Sequence, residues 1–148
     1  MSAMTAPETV PALAQILEDF AFLDDWEDRY RYLIELGRAL EPLPEEAHNE
    51  ANRVHGCASQ VWLQTRLRPE ADGTHIDLVG DSDALIVRGL VALAIAIFSG
   101  RTTAEIVATD AEAVFAQLGL REHLTAQRSN GLRSMVKRIK DEAAAVAT

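Results

Sequence analysis

The chain has one cysteine, Cys57, in 148 residues. It cannot close an intrachain disulfide, and a lone thiol suits a reducing compartment where it stays free. One cysteine per chain also cannot supply the several thiolates that usually hold an iron–sulfur cluster. Basic residues are scarce: 14 Lys and Arg stand against 23 Asp and Glu, for a net charge of -9. An acidic surface repels phosphate backbones, which disfavours nucleic acid as a partner. Long apolar runs are missing too. The longest, Ala84 to Phe98, is broken by Arg88 and Gly89. A bilayer span needs about 20 apolar residues, so this stretch reads as a buried core helix and no membrane contact is expected. Met1 to Val10 has neither the basic n-region nor the apolar core of a secretory signal, so a cytoplasmic location is expected. No phosphate loop, dinucleotide fingerprint or Ser-His-Asp order is present. Internal repeats and low-complexity stretches are absent as well.

What is present suffices for one domain. Hydrophobic residues make up 48%, enough for a sizeable core without disulfides or metal. Residues 1–9 are small and polar and read as a flexible leader, with residues 10–147 as a single domain. Charge is uneven along the chain. Residues 1–50 hold 12 of the acidic residues and 3 of the basic ones. Arg121 to Lys140 holds six basic residues and one acidic, which reads as a solvated helix face or, less often, a docking stripe.

Periodicity gives the elements. Thr9 is placed to cap a helix with Pro11 in its first turn and Leu13, Ile16, Leu17 and Phe20 on one face. Asp24 or Asp25 can cap a second, with Trp26, Tyr30, Leu33, Ile34 and Gly37 on its face, ending before Pro42. Pro42 and Pro44 mark a loop with a short helix through Asn49. Val61 to Leu67 reads as a strand stopped by Pro69. Asp72-Gly73 is a hairpin signal, and Thr74 to Val79 alternates as its return strand. Arg53-Val54 reads as a third, short strand. Asp81, Ser82 or Asp83 can cap the apolar helix to Phe98, which Gly100 closes. Thr102 or Thr103 opens a short helix, and Asp110 or Ala111 another ending near Gly119. Ser129 is placed to cap a last helix bearing Leu132, Met135, Val136 and Ile139. The expected class is α+β: a small antiparallel sheet of about three strands packed with helices from both ends of the chain.

Chemistry concentrates at Cys57, in Arg53-Val54-His55-Gly56-Cys57-Ala58-Ser59-Gln60-Val61-Trp62. Gly56 removes a side chain beside the thiol and permits unusual backbone angles. A thiol on a glycine-flanked loop at a strand edge can be reached from outside. The bland alternative is a small buried hydrophobe, the common fate of a free cysteine. Arg53 and His55 lie close in sequence and would favour the thiolate if they faced it. His48, His55 and Cys57 match no zinc spacing, and no metal is expected. Trp62, large and on a half-buried strand, is expected in the core.

Gly-Cys-x-Ser-x-Val-Trp, at Gly56 to Trp62, resembles the signature of the SufE/CsdE sulfur-acceptor family. Gly80 to Leu90, beginning Gly-Asp-Ser-Asp, and Leu124 to Leu132 fit the same family in order and spacing. The resemblance runs from about Pro11 to near the C-terminus and implies a SufE/IscU-like fold. It implies that Cys57 accepts sulfur as a persulfide, with Gly56, Ser59, Asp83 and Arg128 supporting the site. In that family the second aspartate of Gly-Asp-Ser-Asp, here Asp83, belongs to the environment of the acceptor cysteine. An Asp83–Arg128 pair could then hold the cysteine loop. The third motif departs from the family, with Ala126-Gln127 where a Pro-Ser pair is usual. Related scaffold proteins would show three cysteines, so one cysteine points to a carrier. The implied partners are a pyridoxal-phosphate cysteine desulfurase of the SufS or CsdA kind and a downstream iron–sulfur scaffold or other acceptor. The implied protein is no enzyme in itself, but a desulfurase activator without a cofactor of its own. A homodimer is compatible with the sequence. The alternatives are a single-cysteine thiol redox sensor, which lacks a second cysteine to resolve a sulfenic acid, and an interaction module with an inert Cys57.

Overall fold

The computed structural model describes residues 10–147. Thr9 and the leader lie outside the described residues. Helices α1 (Leu13–Phe22) and α2 (Trp26–Arg38) come first, then one 3-10 turn at Glu45–Ala47. Strands β1 (Val61–Glu70) and β2 (Gly73–Ser82) form an antiparallel hairpin. Helix α3 (Leu85–Phe98) follows, then β3 (Arg101–Thr102). Helices α4 (Thr103–Ala108), α5 (Ala111–Leu118), α6 (Leu120–His123) and α7 (Ala126–Ala147) complete the chain. The sheet order is β1-β2-β3, antiparallel throughout, so the class is α+β as expected.

Several expected caps are in place. Asp25 accepts the Glu27 N–H at 2.8 Å, Thr102 forms a full capping box with Glu105, and Asp110 accepts the Ala113 N–H at 3.1 Å. Gly119, at φ 73°, ends α5 in the left-handed region.

Four local expectations are corrected. The first is Pro69, which does not stop β1. It pairs with Thr74, since β1 is an edge strand with a row of backbone groups free of any ladder. Second, Arg53 makes only an isolated bridge, to Trp62, and the third strand is Arg101–Thr102 beside His75 and Ile76. Third, the Gly-Asp-Ser-Asp segment does not cap α3. Asp81 and Ser82 extend β2, and the residue before the helix, Ala84, makes no side-chain cap. Asp81 is spent instead on His48 at 2.8 Å and Arg88 at 3.1 Å. Fourth, Ser129 lies inside α7. Thr125 caps that helix, its hydroxyl accepting the Arg128 N–H at 3.2 Å, and Ala126 begins it where the family carries proline. Alanine is the best helix former, so the first turn holds without proline.

One sheet face, with Val61, Leu63, Ile76 and Leu78, joins the main core around α3. Trp62 faces the other way, half-buried against Leu43, Ala47 and Val79. His48 meets it edge-on at 4.7 Å. The two ring nitrogens of His48 face the Pro44 carbonyl and the Asp81 carboxylate. Only the doubly protonated ring satisfies both, and the Asp81 bond leads the effects that raise its pKa.

Helices α2 and α3 meet through glycine. A Cβ added at Gly89 would fall 2.2 Å from the Leu33 carbonyl oxygen, and one at Gly37 would fall 2.9 Å from the Gly89 nitrogen. Gly89→Ala gains helix propensity of about 1 kcal/mol but forces the helices apart. The expected net result is a loss of about 2 kcal/mol in urea unfolding. Stability equal to or above wild type would show that the helices can part freely.

Candidate functional site

The cysteine loop is built on a short closure beside β1. Val54 donates to the Val61 carbonyl at 2.8 Å, and Leu63 donates to the Asn52 carbonyl at 2.8 Å. Val54 and Val61 are buried and anchor the two ends. Residues 55–60 project between them, turning at Gly56 with φ 93°. A side chain at 56 would be strained by that angle and would also strike the Ser134 hydroxyl, 2.5 Å from the added Cβ.

Two elements pin this loop. Just after β2, Asp83 takes the Gln60 N–H on its carboxylate at 3.1 Å, and its own N–H donates to the Gln60 carbonyl at 3.3 Å. On the other side runs α7. Cys57 Sγ donates to the Gly131 carbonyl at 3.6 Å, and a Cβ added at Gly131 would lie 3.5 Å from the sulfur. That is ordinary van der Waals distance, so the loop packs directly on α7 at Gly131 and a methyl group would fit there.

The thiol opens on a cavity of about 210 Å³. Val87 of α3 and Met135 of α7 give it apolar walls, while Ser59, Thr125, Gln127 and Arg128 give it polar ones. The first turn of α7 and Arg128 thus line the cavity on which the sulfur opens, and a helix N-terminus and a guanidinium both favour an anion held there. Cys57 is half-buried, and that burial pushes its thiol pKa above the ordinary value; Arg53 pulls the other way and does not prevail. Donation to the Gly131 carbonyl further suits the protonated thiol.

The structure brings Cys57, Ser59 and Arg128 onto one cavity, with Gly56 adjoining. Asp83 is exposed and holds the loop from outside. It makes no ion pair with Arg128, whose guanidinium has no carboxylate partner among the described residues. His55 is turned to Glu50 at 2.8 Å and His48 to Asp81, so the two rings are engaged away from Cys57. Among the described residues no three His, Cys, Asp or Glu side chains gather as a metal site. No helix among them is long and apolar enough to cross a membrane.

The basic run from Arg121 to Lys140 is a solvated face in part: Arg121, Arg133 and Lys137 are exposed, whereas Arg128, Arg138 and Lys140 are half-buried. Arg121 pairs with Glu112 at 2.9 Å, Lys137 pairs with Asp141 at 2.6 Å, and Lys140 bonds the Val107 and Thr109 carbonyls. Arg138 bonds the Arg53 carbonyl at 2.9 Å and the Ala51 carbonyl at 2.8 Å, at the root of the cysteine loop. Sequence reasoning missed Arg138, Ser134 and Gly131. Only Gly131 carried a signal, as a glycine inside a helical pattern.

Fold and site together define a small α+β protein that presents a single thiol on a pinned loop beside a helix N-terminus. A sequence profile of the SufE family, described as an Fe-S metabolism associated domain, matches residues 14–143. A SufE-like protein of Rhizobium meliloti is 56% identical over 132 residues, covering 89% of this chain and 94% of that protein. Another, of Rhizobium etli, is 58% identical over 132 residues, covering 89% of each. Both are described as uncharacterized. A solution structure of a hypothetical protein from Thermus thermophilus superposes with a TM-score of 0.73 at 22% identity, over 94% of this chain and 98% of that one, and shares the fold. The chain belongs to the SufE family, which is associated with iron–sulfur metabolism.

The raised thiol pKa sets a pH dependence. Only the thiolate reacts with iodoacetamide, so alkylation of the free protein should keep accelerating with pH beyond the ordinary thiol midpoint. Arg53→Met removes the one charge that lowers the pKa and should move the midpoint higher still. A midpoint at or below that of a small-molecule thiol would show that the sulfur is not shielded.

Proposed function

We propose that this protein accepts sulfur on Cys57 from a cysteine desulfurase and hands it on for iron–sulfur cluster assembly. The observation that carries this reading is the chain's one cysteine, held on a pinned loop against a cavity at the α7 N-terminus. The desulfurase holds sulfur from L-cysteine as a persulfide on its own cysteine. The Cys57 thiolate attacks the outer sulfur of that persulfide. A sulfur–sulfur bond forms at Cys57, the bond inside the donor persulfide breaks, and the donor leaves as a thiolate. Cys57 then carries the persulfide, and atoms and charge balance without an oxidant. Removing this product frees the desulfurase for another turnover, so the protein acts as its activator in the cytoplasm and needs no cofactor of its own.

Gly56 makes the turn, Ser59 and Arg128 line the sulfur's cavity, and Asp83 holds the far end of the loop. The partner contact centres on this loop, because the two sulfurs must touch. A redox-sensor reading is less well supported: sensor thiols are accessible and of low pKa, whereas burial raises that of Cys57.

Incubation with desulfurase and L-cysteine should raise the intact mass by one sulfur atom or more, reversibly by reductant. Cys57→Ser should gain no sulfur and give no stimulation. Normal stimulation by that variant would sink the proposal.

Asp83 is exposed and Arg128 has no ion pair among the described residues, so substitution should move global stability by no more than about 0.5 kcal/mol. Asp83→Arg and Arg128→Ala are expected to melt near wild type and yet change desulfurase activation. A large drop in melting temperature with unchanged activation would make both residues structural only.

A further inference from the structure

Helix α7 presents Gly131, Ser134 and Arg138 at spacings of three and four, which places them on one face. That face receives the cysteine loop in reverse chain order. Gly131 meets Cys57, Ser134 meets Gly56, and Arg138 meets Arg53 and Ala51. The Arg138 contacts fall on backbone carbonyls of this segment that β1 does not use. Asn52 and Val54 turn backbone groups to β1, bonding Leu63 and Val61. The Ala51 and Arg53 carbonyls make no bond to β1 and are taken by α7. Arg138 takes both of those carbonyls, and its Nε donates to Glu142 at 2.9 Å. Each guanidinium nitrogen thus has its own acceptor. A lysine ammonium keeps the charge but cannot reproduce this fork.

We propose that Arg138 is a positioning residue that locks the root of the Cys57 loop onto α7 and so sets how readily the acceptor thiol is reached. The proposal rests on the sulfur-acceptor reading for its meaning, but its test uses no desulfurase. The probe is iodoacetamide, with alkylation rates measured across pH on the full chain. Arg138→Lys keeps the positive charge, so any effect reports the lost fork. It should alkylate about tenfold faster than wild type, consistent with the loss of charge-assisted hydrogen bonds. The midpoint should shift down towards an ordinary thiol as burial is relieved, and amides 51–58 should exchange faster. Arg138→Met should show the same acceleration, and Lys137→Met, which breaks only an exposed ion pair, should match wild type. Should Arg138→Met fail to fold, Arg138→Lys and Glu142→Gln decide. A merely structural role would lower the melting temperature and leave the alkylation rate and midpoint of the folded protein unchanged. That result in Arg138→Lys would overturn the proposal, as would acceleration in Arg138→Met alone, which would show that any cation at this position holds the loop and that the fork is not needed. The acceptor reading stands or falls separately, on Cys57→Ser.

Discussion

Helix α3 has almost no polar side to turn towards water, and the rest of the chain has to enclose it. Val87, Leu90, Val91, Leu93, Ile97 and Phe98 are all buried, as are Gly89, Ala92 and Ala94 between them. Burying side chains of this size stabilises by about 1.5–3 kcal/mol each, so the helix cannot be left exposed. Glycine allows two of the closest contacts: Gly89 against the α2 backbone, and Gly80 of β2 against Val91. Helix α7 closes a further side through Leu132, Met135 and Ile139. The sheet, α2 and α7 thus take their positions from one buried helix.

The site is a product of that enclosure. The cavity beside Cys57 opens between the start of α3, at Val87, and the first turns of α7, at Arg128 and Met135. The loop sits across this gap because its root is stitched to β1 and to Arg138 while its tip meets Gly131 and Asp83's partner Gln60 holds its far end. Shielding the sulfur in this way has a chemical cost. Burial favours the protonated thiol, whereas attack on another sulfur needs the thiolate. Resting protection and reactivity therefore cannot be maximal in one arrangement. Between the buried anchors Val54 and Val61, the contacts that hold the loop down are polar ones, from Gly131 and Asp83.

Much of this was legible in the sequence because local chemistry and tertiary need agreed. Asp25, Thr102 and Asp110 cap the helices they precede, and Asp72-Gly73 lies at the observed hairpin, although the connecting pair is Ala71-Asp72. The site's centre was legible because glycine, a lone thiol and a strand-forming run stand side by side. The misread caps after β2 share one cause. Side chains that cap helices also bond loops and neighbouring strands, and only the fold decides which. Asp83 reads as a cap and serves the Gln60 backbone, while Asp81 reads as a cap and serves His48 and Arg88. Arg138 gave no local sign of its hold on the loop, for the two carbonyls it bonds there lie 85 and 87 residues away. Asp83 and Arg128 are likewise remote in sequence, and local pattern cannot tell whether they pair.

The charge distribution bears on how such a site would work. The chain as a whole is strongly acidic, with a net charge of -9, yet Arg53 acts on the thiol, and Arg128 and the N-terminal turn of α7 line its cavity. In a sulfur transfer the attacking thiolate, the departing thiolate and an ionised product persulfide are all anions. A positive corner on an acidic body favours each of them at one place while repelling anions elsewhere on the surface. In the resting protein burial outweighs that field, and the thiol keeps its proton. Contact with a partner that draws the sulfur out of its cavity would remove the desolvation penalty and leave Arg53 acting on the exposed thiolate. The same residues would then hold the sulfur inert in the free protein and make it nucleophilic in the complex, with no change in their own charge.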